Sequence, residues 1–441
     1  MARALTVAFG LLGHEAWAGI ATQEVPCVGG GDCPADVDAS ELLQVHKERP
    51  PSSSRRQALW AGENSESLLP AAVTAVQDQG TCGSCAAFSA IEQLSDRLAK
   101  AGKTVPGILS VQATLYAGDK FGYGSGCNGG MPSMYGDMYS WTGIPDEVCA
   151  PYQAGKKCAP DSEGADYGCT AMEWGTCYGS GAWGTYGLGL IPRRLTYYNT
   201  EAEMMKEIYN NGPVSACIYV YENFFSVAGE LGPDTVYKEH EGAFAGGHAI
   251  LLTGYGGSPD ENGTPVWLLK NSWGTTDWGD AGYCLFLRGS NLCNIESWDV
   301  AAFDVRAIAD SASAPAAAPL NSSATAATAR RGAGNASSSR AEDDLLPGGW
   351  YSQPAESAIA QEIIDVWKLL GSHAADVTAP AVHAVRTRVA SGLVAQLTLD
   401  VAEGERGAGA GPTTVELFKS LGAFQAGRGA STTKGWTLLE R

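Results

Sequence analysis

Residues 306–344 are dominated by Ala, Ser, Thr and Pro, as in Ser311-Ala312-Ser313-Ala314-Pro315 and Ala336-Ser337-Ser338-Ser339. A stretch so poor in large apolar side chains cannot bury enough surface to offset the entropy of ordering it, so it reads as a linker. It divides a chain of 441 residues, too long for one small core, into two foldable pieces at 69–305 and 345–441.

The larger piece is aromatic and Gly-rich. A helical pattern covers 85–100, and short β-like runs follow at Val214 to Tyr221, Ala249 to Tyr255 and Val266 to Lys270. Ahead of it, residues 19–68 are polar and broken by Pro50-Pro51-Ser52-Ser53-Ser54-Arg55-Arg56, the character of a pro-segment or spacer. The smaller piece has a helical pattern over Glu356 to Leu370, with Ile359, Ile363, Val366, Trp367 and Leu370 on one face. An alternating strand pattern follows from Val382 to Asp400, enough for a small α+β domain.

Apolar residues make up 44% of the chain and charged residues 17%, as expected of a soluble globular protein. The formal charge of −19 argues against nucleic acid as a partner, because phosphate binding needs clustered Lys and Arg. At the N-terminus, Met1-Ala2-Arg3 precedes an apolar stretch from Ala4 to Leu12 and then Ala16-Trp17-Ala18. That order predicts a signal peptide over residues 1–18 and entry into the secretory pathway, with the mature protein extracellular or in a lysosome or vacuole. Nothing later reaches the ~20 apolar residues of a membrane helix.

Twelve cysteines agree with an oxidising compartment. Cys149, Cys158, Cys169 and Cys177 crowd a Gly-rich stretch that suits a disulfide-stapled loop, with the pairing left open. That cluster contains no His and no paired C-x-x-C spacing, so neither a metal nor any other cofactor is expected.

The most informative chemistry lies in Gln79-Gly80-Thr81-Cys82-Gly83-Ser84-Cys85-Ala86-Ala87-Phe88-Ser89, which runs into Ile91, Leu94 and Leu98 at helical spacing. Cys85 therefore sits at a helix N-terminus, where the partial positive charge and unpaired amides favour thiolate over thiol. A thiolate nucleophile also needs a cationic partner able to protonate a leaving amine, and imidazole suits both tasks. Of six histidines, His248 in Gly246-Gly247-His248-Ala249-Ile250-Leu251-Leu252 is the strongest candidate, because glycines release it into an apolar strand. Asn271 in Lys270-Asn271-Ser272-Trp273-Gly274 can hold the imidazole through its amide oxygen, with Trp273 shielding that bond from water.

Together these segments resemble the active-site signatures of papain-like cysteine proteases, over roughly 70–305. The resemblance implies an α+β fold with a helical left half and a β-barrel-like right half, acting on protein or peptide substrates. It implies Cys85 as nucleophile, His248 as acid and base, Asn271 as orienter, and Gln79 as side-chain donor of the oxyanion hole beside the Cys85 amide. It further implies a Cys82–Cys127 disulfide and substrate binding along Gly129 and Gly130 of Cys127-Asn128-Gly129-Gly130; Trp278 in Asp277-Trp278-Gly279 also fits the pattern. A catalytically dead scaffold of the same fold is the competing reading.

Within the family, Glu203 to Val214 is similar to cathepsins B and X, and so are Gly143 to Cys149 and Arg288 to Ser297. The loops that make those relatives exopeptidases are missing. Residues 146–190 hold no histidine, and Gln79 to Cys85 leaves no room for an insertion, so an endopeptidase is expected. Ala86 stands where the family has Trp, which opens the site beside the nucleophile. Trp298 replaces an acid at the bottom of the S2 pocket, which predicts an apolar P2 preference. The polar segment before residue 69 then resembles a short pro-segment of the cathepsin B and X kind, in which Cys27 and Cys33 can pair.

Residues 345–441 carry a second resemblance. Gly348-Gly349-Trp350, a helix, Arg388-Val389-Ala390-Ser391-Gly392 between two β-like runs, and Gly435-Trp436 look like the three edge elements of a cystatin, a small α+β fold with a helix on an antiparallel sheet. The central loop departs from the family's Gln-Val-Val-Ala-Gly at three positions, and Gly435 replaces Pro. The resemblance implies an intramolecular inhibitor domain, which a linker of ~39 residues spanning ~30 to 40 Å would present at near-millimolar effective concentration. A degenerate module with no inhibitory role, or an inhibitor of other proteases, competes with that reading. Asn262, Asn321 and Asn335 fall in N-x-S/T sequons.

Overall fold

The computed structural model describes residues 66–67, 73–103, 107–153, 177, 200–227, 235–258, 262–303, 305, 345–371, 381–399, 413–421 and 435–439. The expected signal peptide, nearly all of the pro-segment with Cys27 and Cys33, the 306–344 linker, Cys158, Cys169, Asn321 and Asn335 lie outside the described residues.

After the short strand β1 (Glu66–Ser67), helix α1 (Cys85–Lys100) begins on Cys85 itself. Phe88, Ile91, Leu94 and Leu98 recur at helical spacing and are all buried, and Arg97 and Lys100 in the last turn complement the helix dipole. No side chain caps its N-terminus, because the Ser84 hydroxyl bonds Tyr152 instead, at 2.7 Å. Helix α2 (Val111–Phe121) is capped by Ser110, whose hydroxyl accepts from the Ala113 amide, and it stops at Gly122 in the left-handed region. Helix α3 (Pro132–Thr142) opens on proline, which needs no amide partner there. These three helices bury Leu94, Leu115, Tyr135, Met138 and Tyr139 in one core. Helix α4 (Glu201–Asn211) then leads into the sheet half of the molecule.

Strands β2 (Val214–Tyr221), β3 (Val236–Tyr237), β4 (Phe244–Gly257), β5 (Pro265–Lys270) and β6 (Tyr283–Leu287) complete that sheet with β1. Its order is β1-β4-β5-β6-β3, with β2 also paired to β4. This corrects the barrel-like expectation. The outer strands β1, β2 and β3 do not pair with one another among the described residues, so the sheet stays open. Strand β4 is longer than its apolar run predicts, because Phe244 to Gly247 pair with β2 despite two glycines. Ile218, Ile250, Leu252, Trp267, Leu269 and Phe286 fill the core beneath the sheet.

The C-terminal residues build a second sheet from β7 (Tyr351–Ser352), β8 (Val382–Ala390), β9 (Gly392–Leu399), β10 (Thr413–Ser420) and β11 (Trp436–Leu439), antiparallel in the order β11-β10-β9-β8-β7. The stretch expected as one alternating strand from Val382 is therefore a tight hairpin, pairing Ala390 with Gly392 about Ser391. Helix α5 (Ala358–Gly371) starts after Ser357, whose hydroxyl accepts from the Ala360 amide at 3.1 Å. Its buried face of Ile359, Ala360, Ile363 and Val366 shares a cluster with Val385, Val389, Leu393 and Leu397, and that cluster is continuous with the core of the first sheet.

Candidate active site

Cys85, His248 and Asn271 come from three elements. Helix α1 supplies the thiol at its first residue, β4 holds His248 between Gly247 and Ala249, and Asn271 follows the last residue of β5. The Asn271 amide oxygen lies 2.8 Å from His248 Nε2 and also accepts from the Ser272 amide, which fixes the carboxamide in one orientation. Trp273 covers this pair with its ring centroid 4.8 Å from that of His248, and Phe225 stacks on its outer side. His248 Nδ1 has no hydrogen-bond partner.

Gln79 is fully buried. Its amide nitrogen donates to the Cys82 carbonyl at 2.9 Å and its oxygen accepts from the Ser272 hydroxyl at 2.8 Å, so the segment after Asn271 steers the expected oxyanion donor. Cys82 is joined to Cys127, and Gly83 donates to the Cys127 carbonyl, which ties the loop ahead of Cys85 to the Asn128-Gly129-Gly130 loop. A second disulfide joins Cys149 to Cys177. Trp278 is one ring removed from His248, fully buried against Trp273 and Phe224, with its indole donating to the Phe224 carbonyl. Trp298 lies edge-on to Tyr219 at 5.0 Å. Ala86 is buried.

Both Cys85 and His248 have no exposed surface, and the chain's own residues 345–350 run along the cleft past Gly83, Gly130 and Gly247. Gly348 donates to the Gly247 carbonyl at 2.9 Å, and Gly130 donates to the Pro347 carbonyl at 3.2 Å, so backbone pairing engages both walls. The insert then turns back, with Gly349 donating to the Leu346 carbonyl and Gly348 at φ +72°. The approach is so close that side chains are excluded. A Cβ on Gly129 would meet the Pro347 oxygen at 2.6 Å and the Gly349 nitrogen at 2.7 Å, and one on Gly348 would collide with the Gly83 carbonyl. Leu345 is buried at the same wall, where a Cβ on Gly247 would meet both it and Trp298.

The β8–β9 hairpin adds a second set of contacts. Buried Arg388 donates to the carbonyls of Cys127 and Thr81 at 3.2 and 3.1 Å and lies over the Trp350 ring at 4.5 Å. The Trp350 indole donates to Asn128 at 3.0 Å. Ser391 donates its amide to the Gly80 carbonyl and its hydroxyl to Asp78. On the opposite wall, Gln353 and Thr387 donate to the Phe244 and Ala245 carbonyls. Sequence reasoning missed Arg388, Asp78 and Ser272. The only signal for Arg388 was its place at the start of the loop that departs from the cystatin pattern.

Burial sets the electrostatics of the covered site. Desolvation pushes the Cys85 thiol up to about 12, against weaker help from the backbones of Ala249, Ala86 and Cys85 itself. The same desolvation lowers His248 to about 4, although Asn271 favours the charged ring. Both shifts favour a neutral thiol and a neutral imidazole, the unreactive form of such a pair.

Residues 65–303 match the family described as "Papain family cysteine protease". The chain is similar to a gut-specific cysteine proteinase of Caenorhabditis elegans, with 32% identity over 51% of this chain and 67% of the relative. It is also similar to cathepsin B-like protease 1 of Arabidopsis thaliana, with 34% identity over 50% of this chain and 56% of the relative. A third relative is cathepsin B-like CP2 of Giardia intestinalis, with 33% identity over 53% of this chain and 71% of the relative.

Proposed function

The chain belongs to the papain family of cysteine proteases, and from that premise we propose that it is a latent endopeptidase, held inactive by its own C-terminal module. The observation that carries this reading is the insert of Leu345 to Trp350, which pairs with Gly247 next to His248 and with Gly130 across the cleft, beside a His248 that is hydrogen-bonded to Asn271. The module's architecture, one helix across an antiparallel sheet with a hairpin tip and a Gly-Gly insert, supports the cystatin-like interpretation.

With the insert withdrawn, water returns to Cys85 and His248 and removes the desolvation that keeps them neutral. A proton passes from the thiol to the imidazole. The thiolate then attacks the substrate carbonyl and forms a C–S bond, with the developing oxyanion held by the Cys85 amide and the Gln79 side chain. His248 donates its proton to the departing amine as the C–N bond breaks. Water attacks the thioester with the imidazole accepting its proton, and Cys85 leaves as the sulfur group. Asn271 keeps the ring in register throughout. Protein or peptide substrates lie extended along Gly129 and Gly130, where the insert now lies.

Endopeptidase action is favoured because residues 146–190 contain no histidine to capture a substrate carboxylate. The two disulfides and the N-terminal apolar segment support a secretory route to the cell exterior or a lysosome or vacuole. The test is covalent labelling of the Gly348→Val full chain with an epoxide aimed at active-site thiols. Modification of Cys85, lost in Cys85→Ala, together with cleavage of peptides blocked at both ends, is the expected result. Cleavage confined to peptides with free C-termini would overturn the endopeptidase reading, and no labelling would overturn the enzyme.

A further inference from the structure

Beneath the cleft, buried ionic groups bridge the helical half and the sheet half of the peptidase. Glu92 and Asp96 sit one turn apart on α1, the helix that begins with Cys85. Lys270 is the last residue of β5, directly before Asn271. All three are almost wholly buried. The Lys270 ammonium lies 3.1 Å from Glu92 and donates to the Thr74 carbonyl and hydroxyl at 2.8 Å each, while the Thr74 amide donates to Asp96 at 2.6 Å. Glu92 Oε1 and Asp96 Oδ2 have no partner.

We infer that Lys270, held by Glu92 and Asp96, is a positioning residue for the peptidase reaction, tying the helix that carries Cys85 to the strand end that carries Asn271. Glu92 lies seven residues along α1 from Cys85, a rise of about 10 Å, so the clamp fixes the base of the spacing that the dyad uses at the top. The inference rests on the peptidase reading above.

The charge count makes the clamp proton-linked. One ammonium faces two carboxylates, and Tyr283 from β6 is the other ionisable group that bears on Lys270. With both carboxylates ionised the site holds one unbalanced buried negative charge; with one protonated it is neutral. Burial pushes Glu92 up to about 7 against the attraction of Lys270, and Asp96 up to about 6. Raised carboxyl values mean that these two groups bind more protons in the folded state than in the unfolded chain, so their contribution to stability is greatest in acid and falls as pH climbs towards 7. The clamp is therefore charge-balanced between about pH 6 and 7, where one carboxyl keeps its proton, and carries an unbalanced negative charge above neutrality.

The test uses the full chain carrying Gly348→Val, which opens the cleft from the module side. In that background Asp96→Asn keeps an acceptor for the Thr74 amide and leaves a balanced Lys270–Glu92 pair. It should remove the part of the alkaline fall in kcat that arises from the second carboxylate and flatten the fall of Tm between pH 5 and 7.5. Lys270→Met should lower kcat about tenfold with KM within about twofold, and Lys270→Arg should restore much of it. An unchanged alkaline limb and Tm slope in Asp96→Asn overturns the clamp even if Lys270→Met fails to fold. An opened parent that neither cleaves peptides nor labels at Cys85 removes the peptidase premise and the positioning role with it, and is distinguishable because the parent itself is then silent.

Discussion

Gly348 donates its amide to the carbonyl of Gly247 at 2.9 Å, so the chain's own insert is hydrogen-bonded to the residue directly ahead of His248. Gly348 also has φ +72°, and any Cβ there would strike the Gly83 carbonyl. Gly348→Val therefore combines backbone strain with a clash that only withdrawal of the insert relieves. Hydrolysis of a blocked peptide by the full chain should rise at least about tenfold. Activity equal to that of the parent would mean that the insert does not control access.

Arg388 holds the hairpin to the opposite side of the cleft. Alanine there leaves the Cys127 and Thr81 carbonyls without their charged donor and removes the stack on Trp350. A loss of about 2 kcal/mol is expected, equivalent to a ~30-fold gain in the open fraction, with Arg388→Lys recovering only part. Epoxide labelling rates at Cys85 measure it.

Opening should be nearly independent of pH, despite the large shifts in the covered site. Covered, the pair carries one proton on Cys85, whose thiol is raised to about 12 while His248 is lowered to about 4. Open, a thiolate–imidazolium pair also carries one proton, now on His248. The proton moves within the site and none is exchanged with solvent, so linkage predicts no slope. The labelling rate of the full chain divided by that of Gly348→Val should stay within about threefold from pH 5.5 to 7.5. A tenfold change per pH unit would show that the open form is not the ion pair.

Asn271→Ala in the opened full chain frees the imidazole whose Nε2 now lies 2.8 Å from the carboxamide oxygen. Misorientation of the acid and base should lower kcat at least about tenfold with KM within about twofold. An equal fall in 1/KM would assign Asn271 to substrate binding instead.

Leu345 and Trp298 both crowd the place where a Cβ on Gly247 would lie, which marks an apolar slot in the cleft wall. Substrate profiling of the opened enzyme should favour aliphatic or aromatic residues at P2. A profile dominated by Arg at P2 would refute the assignment.

Much of the fold was legible where one residue pattern dictates one element. Ile91, Leu94 and Leu98 place α1, and the apolar run of Val214 to Tyr221 matches β2 end to end. Phe244 to Gly247 were not legible as strand, because only pairing with β2 holds those glycines extended. Nor was the open sheet, since closure depends on which edges meet. At the site, motif spacing points to Cys85, His248 and Asn271 as candidates, whereas the Arg388 contact with Thr81 links residues 307 apart and carries no periodic signal. Lys270 was hidden for a different reason: beside Asn271 it looks like an ordinary strand-end cation, and only the fold brings Glu92 to it.

The insert and the cleft it fills belong to one covalent chain, and that fact decides how the proposed latency responds to concentration. A separate inhibitor dissociates on dilution, so the active fraction of its target depends on how much of each is made. Here seating and unseating form a unimolecular equilibrium, with the same active fraction at nanomolar as at micromolar protein. On the proposed reading, dilution alone therefore does not switch the enzyme on; only cutting the chain between the two pieces turns the equilibrium into one that dilution can drive.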